Sequence, residues 1–157
     1  MEEERRQELA SLLVLEALEA EAPLLLPAST PAREALGLLI EAHGHCLVVQ
    51  RDGWVIGVVT LIDLQRVISA GHGGEALPLE DCRRSDLLWL PDVANLAQLE
   101  DQLVPNGLRQ VPVFALGGPG PSQLPAGLPN SGLPAQALRG MASRDGMARA
   151  LARRLHR

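Results

Sequence analysis

The leading segment of the chain has the apolar spacing of a helix. Within residues 5–20 a single stripe of leucines, separated by Glu and Arg, is formed by Leu9, Leu12, Leu13 and Leu18. This pattern predicts an amphipathic N-terminal helix, assigned to residues 1–18, that docks on the rest of the domain through its apolar face.

A second helix is predicted after a short extended piece at residues 24–27. Thr30 is the expected N-cap and Pro31 the first helical residue, a position where the missing N–H of proline breaks no helical hydrogen bond. The helical spacing assigns three residues to its buried face: Leu36, Leu39 and Ile40.

A hairpin and a strand-to-helix junction complete this first unit. Residues 46–49 and 54–59 are rich in β-branched and apolar residues and predict two strands, and Arg51-Asp-Gly53 has the composition of a tight turn between them. Helical spacing then resumes in Leu61, Leu64, Val67 and Ile68, so Thr60 falls at the N-cap of a third helix.

This junction carries the most informative chemistry in the chain. Thr60 stands at the start of the helix, and Asp63 follows three residues later. Free backbone N–H groups and the positive end of the helix dipole favour an anion there, and a carboxylate accepts hydrogen bonds from the two hydroxyls of a ribose. The alternative is a capping box, in which both side chains satisfy N–H groups of the helix and bind no ligand.

The same order of elements returns about 64 residues later. Leu26-Pro27 is matched by Leu90-Pro91, and the junction that ends at Thr60 is matched by the one that ends at Ser143. The strand at residues 47–49 is matched by residues 112–114. We therefore predict an α+β fold of two β-α-β-β-α repeats, residues 19–73 and 74–157, packed as one pseudo-symmetric module.

The second repeat carries an insertion of about eighteen residues in its hairpin. The segment 116–135 is rich in Gly, Pro and Ser and has few residues that would bury apolar surface. We expect a mobile surface loop.

Composition excludes several classes of function. The net charge of -5 and the pI of about 5.3 argue against a nucleic-acid partner, which requires a basic face. All fourteen positive residues are Arg, so a Schiff-base mechanism through Lys is excluded. The serines have no evident His and acid partners, and catalysis is not expected.

The two cysteines, Cys46 and Cys82, are too few for a disulfide scaffold and indicate a reducing, cytoplasmic setting. His43 and His45 lie close to Cys46, but no second ligand pair follows at metal-binding spacing. We expect no metal site and no required cofactor. No apolar run reaches the roughly 18 residues of a membrane span, which predicts a soluble chain.

The duplicated unit, with its Gly-x-x-Thr-x-x-Asp junction, resembles the CBS domain pair, or Bateman module, over roughly residues 19–157. The match is best at residues 24–36, which resemble the first strand and helix of the family, and at residues 51–64, which resemble its hairpin and ligand motif. The resemblance implies a regulatory module. Two clefts between the paired halves take adenosine-containing ligands, and their occupancy is relayed to an attached or associated protein.

The resemblance also implies roles for individual residues of the first repeat. Thr60 is the expected phosphate or ribose contact, Asp63 the ribose clamp, and His45 the basic phosphate contact that precedes the strand. An apolar slot for adenine is assigned to Leu24, Leu26 and Val58, for which ordinary core packing is the alternative.

The second repeat departs from the family pattern. Ser143 follows Gly140 by three residues as expected, but Gly146 stands where the carboxylate should be, and Asp145 lies one position earlier. One residue is a rotation of about 100° on a helix, so Asp145 is expected to point away from the cleft. Two arginines, Arg109 and Arg144, are either phosphate contacts or solvated surface charges. We expect one competent cleft, formed mainly by the first repeat.

Two functions are compatible with these observations. One is a ligand-sensing module that binds AMP, ADP or ATP, and the alternative is a structural dimerisation module with no ligand. The helices after Thr60 and Ser143 carry apolar stripes, which predict a homodimer. The client would be a membrane transporter or an enzyme. The ends of the chain are similar to the cytosolic tails of ClC-type chloride channels and transporters, and a free-standing cytoplasmic module is the alternative.

Overall fold

The computed structural model describes residues 2–83, 87–115 and 132–156, which contain five helices and seven strands. None of these helices is both long enough and apolar enough to cross a bilayer. The helices are α1 (Glu2–Ala10), α2 (Ala32–Glu41), α3 (Leu61–Ser69), α4 (Leu96–Leu103) and α5 (Arg144–Leu155). The strands are β1 (Leu25–Pro27), β2 (Cys46–Arg51), β3 (Trp54–Thr60), β4 (Leu90–Pro91), β5 (Gln110–Phe114), β6 (Leu133–Pro134) and β7 (Leu138–Ser143).

The leading helix is shorter than the leucine stripe predicts. α1 ends at Ala10, and a separate 3₁₀ turn follows at Val14–Ala17. The helix does not continue because the backbone of residues 12–14 pairs elsewhere: Val14 N donates to Ala94 O at 2.8 Å, and Leu12 O accepts from Leu96 N at 2.9 Å. As a result Leu13, predicted on the apolar stripe, is 51% exposed.

The first of two compact units contains described residues 23–83, 87 and 132–136. Its sheet has the order β1-β2-β3-β6, with β1 parallel to β2 and the other pairs antiparallel. One face of the sheet packs with α2 and α3 on an apolar core that includes Ala32, Ala35, Leu39, Leu47, Val49, Val59, Leu64 and Leu79. The tight turn of its hairpin is confirmed, since Asp52 (φ 51°) and Gly53 (φ 84°) both take the left-handed conformation that two-residue hairpins favour.

The start and the buried face of α2 differ slightly from the prediction. Pro31 is the N-cap, and Thr30 lies before the helix, where its carbonyl accepts a hydrogen bond from Leu79 N at 2.9 Å. Leu39 is buried as expected, but Ile40 is 57% exposed. Successive helical residues are rotated by about 100°, so neighbours of this kind do not share one narrow buried face.

The second unit contains residues 2–22, 88–115 and 137–156. Its sheet has the order β4-β5-β7, and its core joins this sheet to α1, α4, α5 and the 3₁₀ turn. Two ion pairs tie α1 to α4, with Arg5 Nη2 2.5 Å from a Glu100 oxygen and Arg6 Nη2 2.8 Å from an Asp101 oxygen. The hydrogen bonds from Arg6 hold the pKa of Asp101 below its usual value.

The duplication is confirmed, but the strand register shifts the predicted alignment of the two repeats by one residue. Val49 lies opposite Gly57, and Val113 lies opposite Gly140, with a register shift immediately after the valine in both pairs. The counterpart of Val49 is therefore Val113 rather than Phe114.

The segment that precedes each repeat packs with the other repeat. Residues 12–18 lie in the second unit and residues 77–83 in the first. Their hydrogen bonds correspond: Val14 N donates to Ala94 O at 2.8 Å, and Leu79 N donates to Thr30 O at 2.9 Å. Each segment also forms a 3₁₀ turn, at Val14–Ala17 and at Leu79–Asp81. The sequence repeat thus begins earlier than residue 19, and Leu18 corresponds to Arg83.

Most of the predicted loop, residues 116–131, lies outside the described residues. Its end is not a loop, because Leu133–Pro134 forms β6 on the edge of the first unit's sheet. Leu133 is 2% exposed and pairs with Val55. Gly132 lies so close to β3 that a Cβ atom there would be 1.9 Å from Val55 O. The insertion therefore contributes a buried leucine to the core.

Candidate functional site

The predicted junction of the first repeat forms where β3 runs directly into α3. Thr60 Oγ1 accepts a hydrogen bond from Asp63 N at 3.1 Å, and Asp63 Oδ2 accepts one from Thr60 N at 3.0 Å. These reciprocal bonds form a capping box, which is the alternative to ligand binding that the sequence left open for this pair. Capping uses only one oxygen of the carboxylate.

The second carboxylate oxygen of Asp63 is less well satisfied than the one that caps the helix. Among the described residues its charged neighbour is Arg66, whose Nη1 lies 3.7 Å away, too far for a hydrogen bond. The Arg66 side chain is 72% exposed, whereas that of Asp63 is 7% exposed. A mostly buried carboxylate with one oxygen unsatisfied by a short hydrogen bond retains acceptor capacity for a ligand hydroxyl.

His45 lies at the same end of the sheet. Cys46 pairs with Thr60 across β2 and β3, and the carbonyl of His45 accepts a hydrogen bond from Leu61 N at 2.9 Å. The residue is exposed. The structure therefore brings together three of the predicted site residues: His45, Thr60 and Asp63.

The three predicted slot residues do not form one wall. Leu24 and Leu26 are half-buried and pack on the core between the sheet and its helices. Val58 belongs to the opposite face, because the register aligns it with Val48 and Leu25 across β2 and β1. Side chains of adjacent residues on a strand point to opposite faces, and this alternation separates Val58 from the two leucines.

Sequence reasoning missed Arg83, which lies against the glycine of the junction motif. A Cβ atom at Gly57 would be 2.7 Å from Arg83 Cδ, so a side chain there would require the Arg83 stem to move. Arg83 Nη1 donates to Ile56 O at 3.2 Å, and Nε is buried without a hydrogen-bond partner among the described residues. The signal that could have found it is the correspondence of residues 12–18 with 77–83.

The equivalent junction of the second repeat is closed by the chain itself. Ser143 Oγ accepts from Gly146 N at 2.8 Å and donates to Glu19 Oε1, while Arg149 Nη2 donates to Glu19 Oε2 at 3.2 Å. A Cβ atom at Gly146 would be 2.0 Å from Ala17 O, so a residue with a side chain does not fit there. The carboxylate of the leading segment thus occupies this helix N-terminus.

The other polar residues of the second repeat have structural positions. Asp145 is exposed at the start of α5. Arg144 donates hydrogen bonds to the last residue of α4 and to the loop after it: its Nη2 lies 3.4 Å from Leu103 O and its Nε 2.8 Å from Leu108 O. Arg109 is exposed on the surface of this unit.

Burial keeps both thiols near the first junction protonated. It raises the pKa of Cys46 to about 12. Burial is also the main reason that the pKa of Cys82 is raised, and the charges of Asp81 and Asp63 add to the shift. Within the described part of the chain, His, Cys, Asp and Glu form no group of three that could hold a metal ion.

Comparison with known proteins identifies the fold. The family model described as the CBS domain matches residues 16–70. A search of curated proteins gave no match. Among solved structures, CBSX2 in complex with AMP is 24% identical, with a TM-score of 0.65 over 93% of this chain and 99% of that one.

Two further structures have the same fold at lower identity. A CBS domain pair in complex with 5′-methylthioadenosine and S-adenosyl-L-methionine is 13% identical, with a TM-score of 0.66 over 90% of this chain and 97% of that one. The CBS domain of a bacterial CNNM/CorC family Mg²⁺ transporter is also 13% identical, with a TM-score of 0.66 over 92% of this chain and 78% of that one.

Proposed function

Since the chain has the fold of a tandem CBS domain pair, we propose that it is a ligand-sensing regulatory module that binds an adenine nucleotide (AMP, ADP or ATP) at the first repeat. The observation that carries the proposal is the unused oxygen of the mostly buried Asp63 carboxylate beside the N-terminus of α3. Complexes of similarly folded proteins with AMP and with S-adenosyl-L-methionine support an adenosine-type ligand.

In this proposal Asp63 binds the ribose, and Thr60 and His45 contact the ribose or phosphate. Leu24, Leu26 and Val58 do not form a single adenine slot in this proposal, because they lie on two faces of the sheet. They are apolar residues near the site. No cofactor or metal takes part, and the module itself performs no catalysis.

A single ligand per chain is proposed, because Glu19 already fills the corresponding position of the second repeat. Its carboxylate accepts hydrogen bonds from Ser143 and Arg149. A phosphate at the same N-terminus would have to displace an anion that is tethered to the chain, at a cost in like-charge repulsion.

The occupied module would act on an attached or associated protein in the cytoplasm. A membrane transporter is the favoured client, supported by the shared fold of the CNNM/CorC transporter domain, and a chloride channel or transporter of the ClC type is one such client. Association as a homodimer is part of the proposal.

The second candidate is a structural dimerisation module without ligand, favoured by the capping box that already accounts for Thr60 and Asp63.

A thermal-shift and calorimetry panel of AMP, ADP, ATP, S-adenosylmethionine and cyclic dinucleotides tests the proposal. A ligand at 100 times its Kd should add about 2.7 kcal/mol to the free energy of unfolding. We expect a response to at least one adenine nucleotide, with a stoichiometry of one per chain. Absence of any response across the panel would favour the structural module, and a stoichiometry of two would show that Glu19 does not block the second site.

A further inference from the structure

Arg83 reaches the first junction because the segment that precedes the second repeat packs with the first repeat. It ends the stretch 77–83, which packs in the first unit, and its stem lies on Gly57. Gly57 is three residues before Thr60 on β3, a distance of about 10 Å along a strand. Arg83 and the Thr60–Asp63 pair thus lie along the same strand of one unit.

The Arg83 guanidinium is poorly compensated within the described residues. Its only hydrogen bond there is the one from Nη1 to Ile56 O at 3.2 Å, and Nε is buried without a partner. No carboxylate oxygen of a described residue lies within 4.0 Å of its nitrogen atoms. Arg83 is half-buried, and a buried N–H such as that of Nε costs free energy when no acceptor replaces its lost hydration.

The pseudo-symmetric position shows that packing does not require this charge. Leu18 corresponds to Arg83 and lies on Gly140 as Arg83 lies on Gly57, with Leu18 Cδ2 3.6 Å from the Cβ position of that glycine. An aliphatic side chain therefore fills the same niche in the second repeat. Of the two repeats, only the first has a guanidinium at this position.

The two junctions also differ in charge. In the second repeat the chain supplies a second carboxylate, Glu19, to the serine hydroxyl of the junction. Among the described residues the first junction has no counterpart of Glu19: its own carboxylate, Asp63, caps α3, and Arg83 forms no ion pair.

We propose that Arg83 binds the phosphate of the ligand at the first repeat, with its guanidinium N–H groups as donors. The proposal rests on the proposed function and deepens it, because it makes Arg83 the residue that selects phosphorylated nucleosides over adenosine. A guanidinium suits this role, since its parallel N–H groups match two oxygens of a phosphate. Asp63 then holds the ribose of the same ligand.

The test compares Arg83→Leu with wild type by calorimetry against AMP and against adenosine. The leucine copies the side chain found at Leu18, so the fold should be retained, and thermal unfolding checks this. We expect AMP affinity to fall roughly ten- to a hundredfold and adenosine affinity to stay unchanged. Arg33→Leu is the matched control, since Arg33 is exposed on α2 of the same unit and its loss changes the net charge equally.

Three outcomes overturn the proposal: unchanged AMP affinity in Arg83→Leu, equal losses for AMP and adenosine, or tighter AMP binding. The last would mean that Arg83 fills the site in competition with the ligand. If Arg83→Leu fails to fold, Arg83→Gln keeps a donor for Ile56 O while removing the charge, and the same AMP-specific loss is expected.

Failure of the proposed function is distinguishable from failure of this inference. If wild type binds neither AMP nor adenosine, the adenine-nucleotide function fails, and thermal stability is then titrated with inorganic phosphate and pyrophosphate. Stabilisation of wild type but not of Arg83→Leu would support an anion site at Arg83. An equal response of the two proteins, or none, would refute it.

Discussion

At the scale of single residues, the first junction gives Asp63 both a structural and a proposed binding role. One carboxylate oxygen caps α3 through Thr60 N, and the other is available beside the exposed Arg66. A substitution that removes both oxygens confounds the two roles. Asparagine separates them, because it keeps an oxygen for the cap and removes the charge.

We predict that Asp63→Asn and Asp63→Ala both weaken AMP binding roughly ten- to a hundredfold in calorimetry. Only Asp63→Ala should also lower the free energy of unfolding, by about 1 kcal/mol, through the lost cap. Asp145→Ala is the control and should change neither quantity, since Asp145 is exposed and out of register. Undiminished affinity in a folded Asp63→Ala protein would leave Asp63 as a helix cap only.

The buried thiols give the chain a distinctive alkaline instability. The sequence contains no Lys and no Tyr, and Arg titrates above about 12, so the cysteines dominate titration above pH 9. The pKa of Cys46 is raised from 9.0 to about 12, so its thiol stays protonated in the folded protein while it ionises in the unfolded chain. Its contribution to stability is complete below pH 9 and is lost as pH rises towards 12.

We predict that the free energy of unfolding, measured with denaturant between pH 8 and 11.5, declines above pH 9 by up to about 1.4 kcal/mol per pH unit for each thiol. Cys46→Ala should reduce this slope, and adding Cys82→Ala should flatten it further, since the pKa of Cys82 is also raised. An identical slope in wild type and Cys46→Ala would contradict the assignment.

At the scale of elements, the insertion of the second repeat shows how a segment rich in Gly and Pro contributes to a core. Its described end forms β6, which extends the sheet of the first unit through Val55. Leu133 is almost completely buried there. Stability should therefore depend on residues 132–134 and not on the composition of the segment before them.

We predict that replacing residues 116–131 by a Gly/Ser linker, with Gly132 to Pro134 retained, leaves the melting temperature within a few degrees of wild type. Leu133→Ala should instead lower the free energy of unfolding by about 2–5 kcal/mol through the cavity it leaves. Thermal and denaturant unfolding measure both effects. A large loss of stability in the linker variant, or none in Leu133→Ala, would contradict this division of the insertion.

At the scale of the whole molecule, the apolar stripes that predicted a homodimer are mostly used within the chain. Leu64 of α3 is fully buried in the first unit, and Met147 of α5 is buried in the second. What remains exposed is more local: Ile40 of α2 is 57% exposed, Ile62 of α3 is 65% exposed, and Leu155 of α5 is 78% exposed. These side chains are the basis for retaining the dimer as a prediction.

We predict that light scattering at micromolar concentration gives twice the 16.8 kDa mass of the chain. Ile62→Glu should shift the mass towards the monomer, because it places a charge in the proposed interface. Val104→Glu is the control, since Val104 is similarly exposed but follows α4 in the second unit. A wild-type mass of 16.8 kDa would refute the homodimer.

The sequence by itself determined the features that depend on neighbouring residues. The turn at Asp52-Gly53 follows from the left-handed conformation that these residue types tolerate, and the cap at Thr60 and Asp63 follows from hydrogen bonds spanning three residues. The duplication was visible because each repeat has the same succession of short-range patterns.

The tertiary structure decided what depends on residues far apart in the chain. The exchange of residues 12–18 and 77–83 places Arg83 on Gly57 and Glu19 on Ser143, contacts that no local periodicity encodes. Strand register decided that Val58 lies on the other face from Leu24 and Leu26, because a shift of one residue reverses every side chain. Local preferences thus specified the elements, and long-range backbone pairing specified which charges meet at each junction.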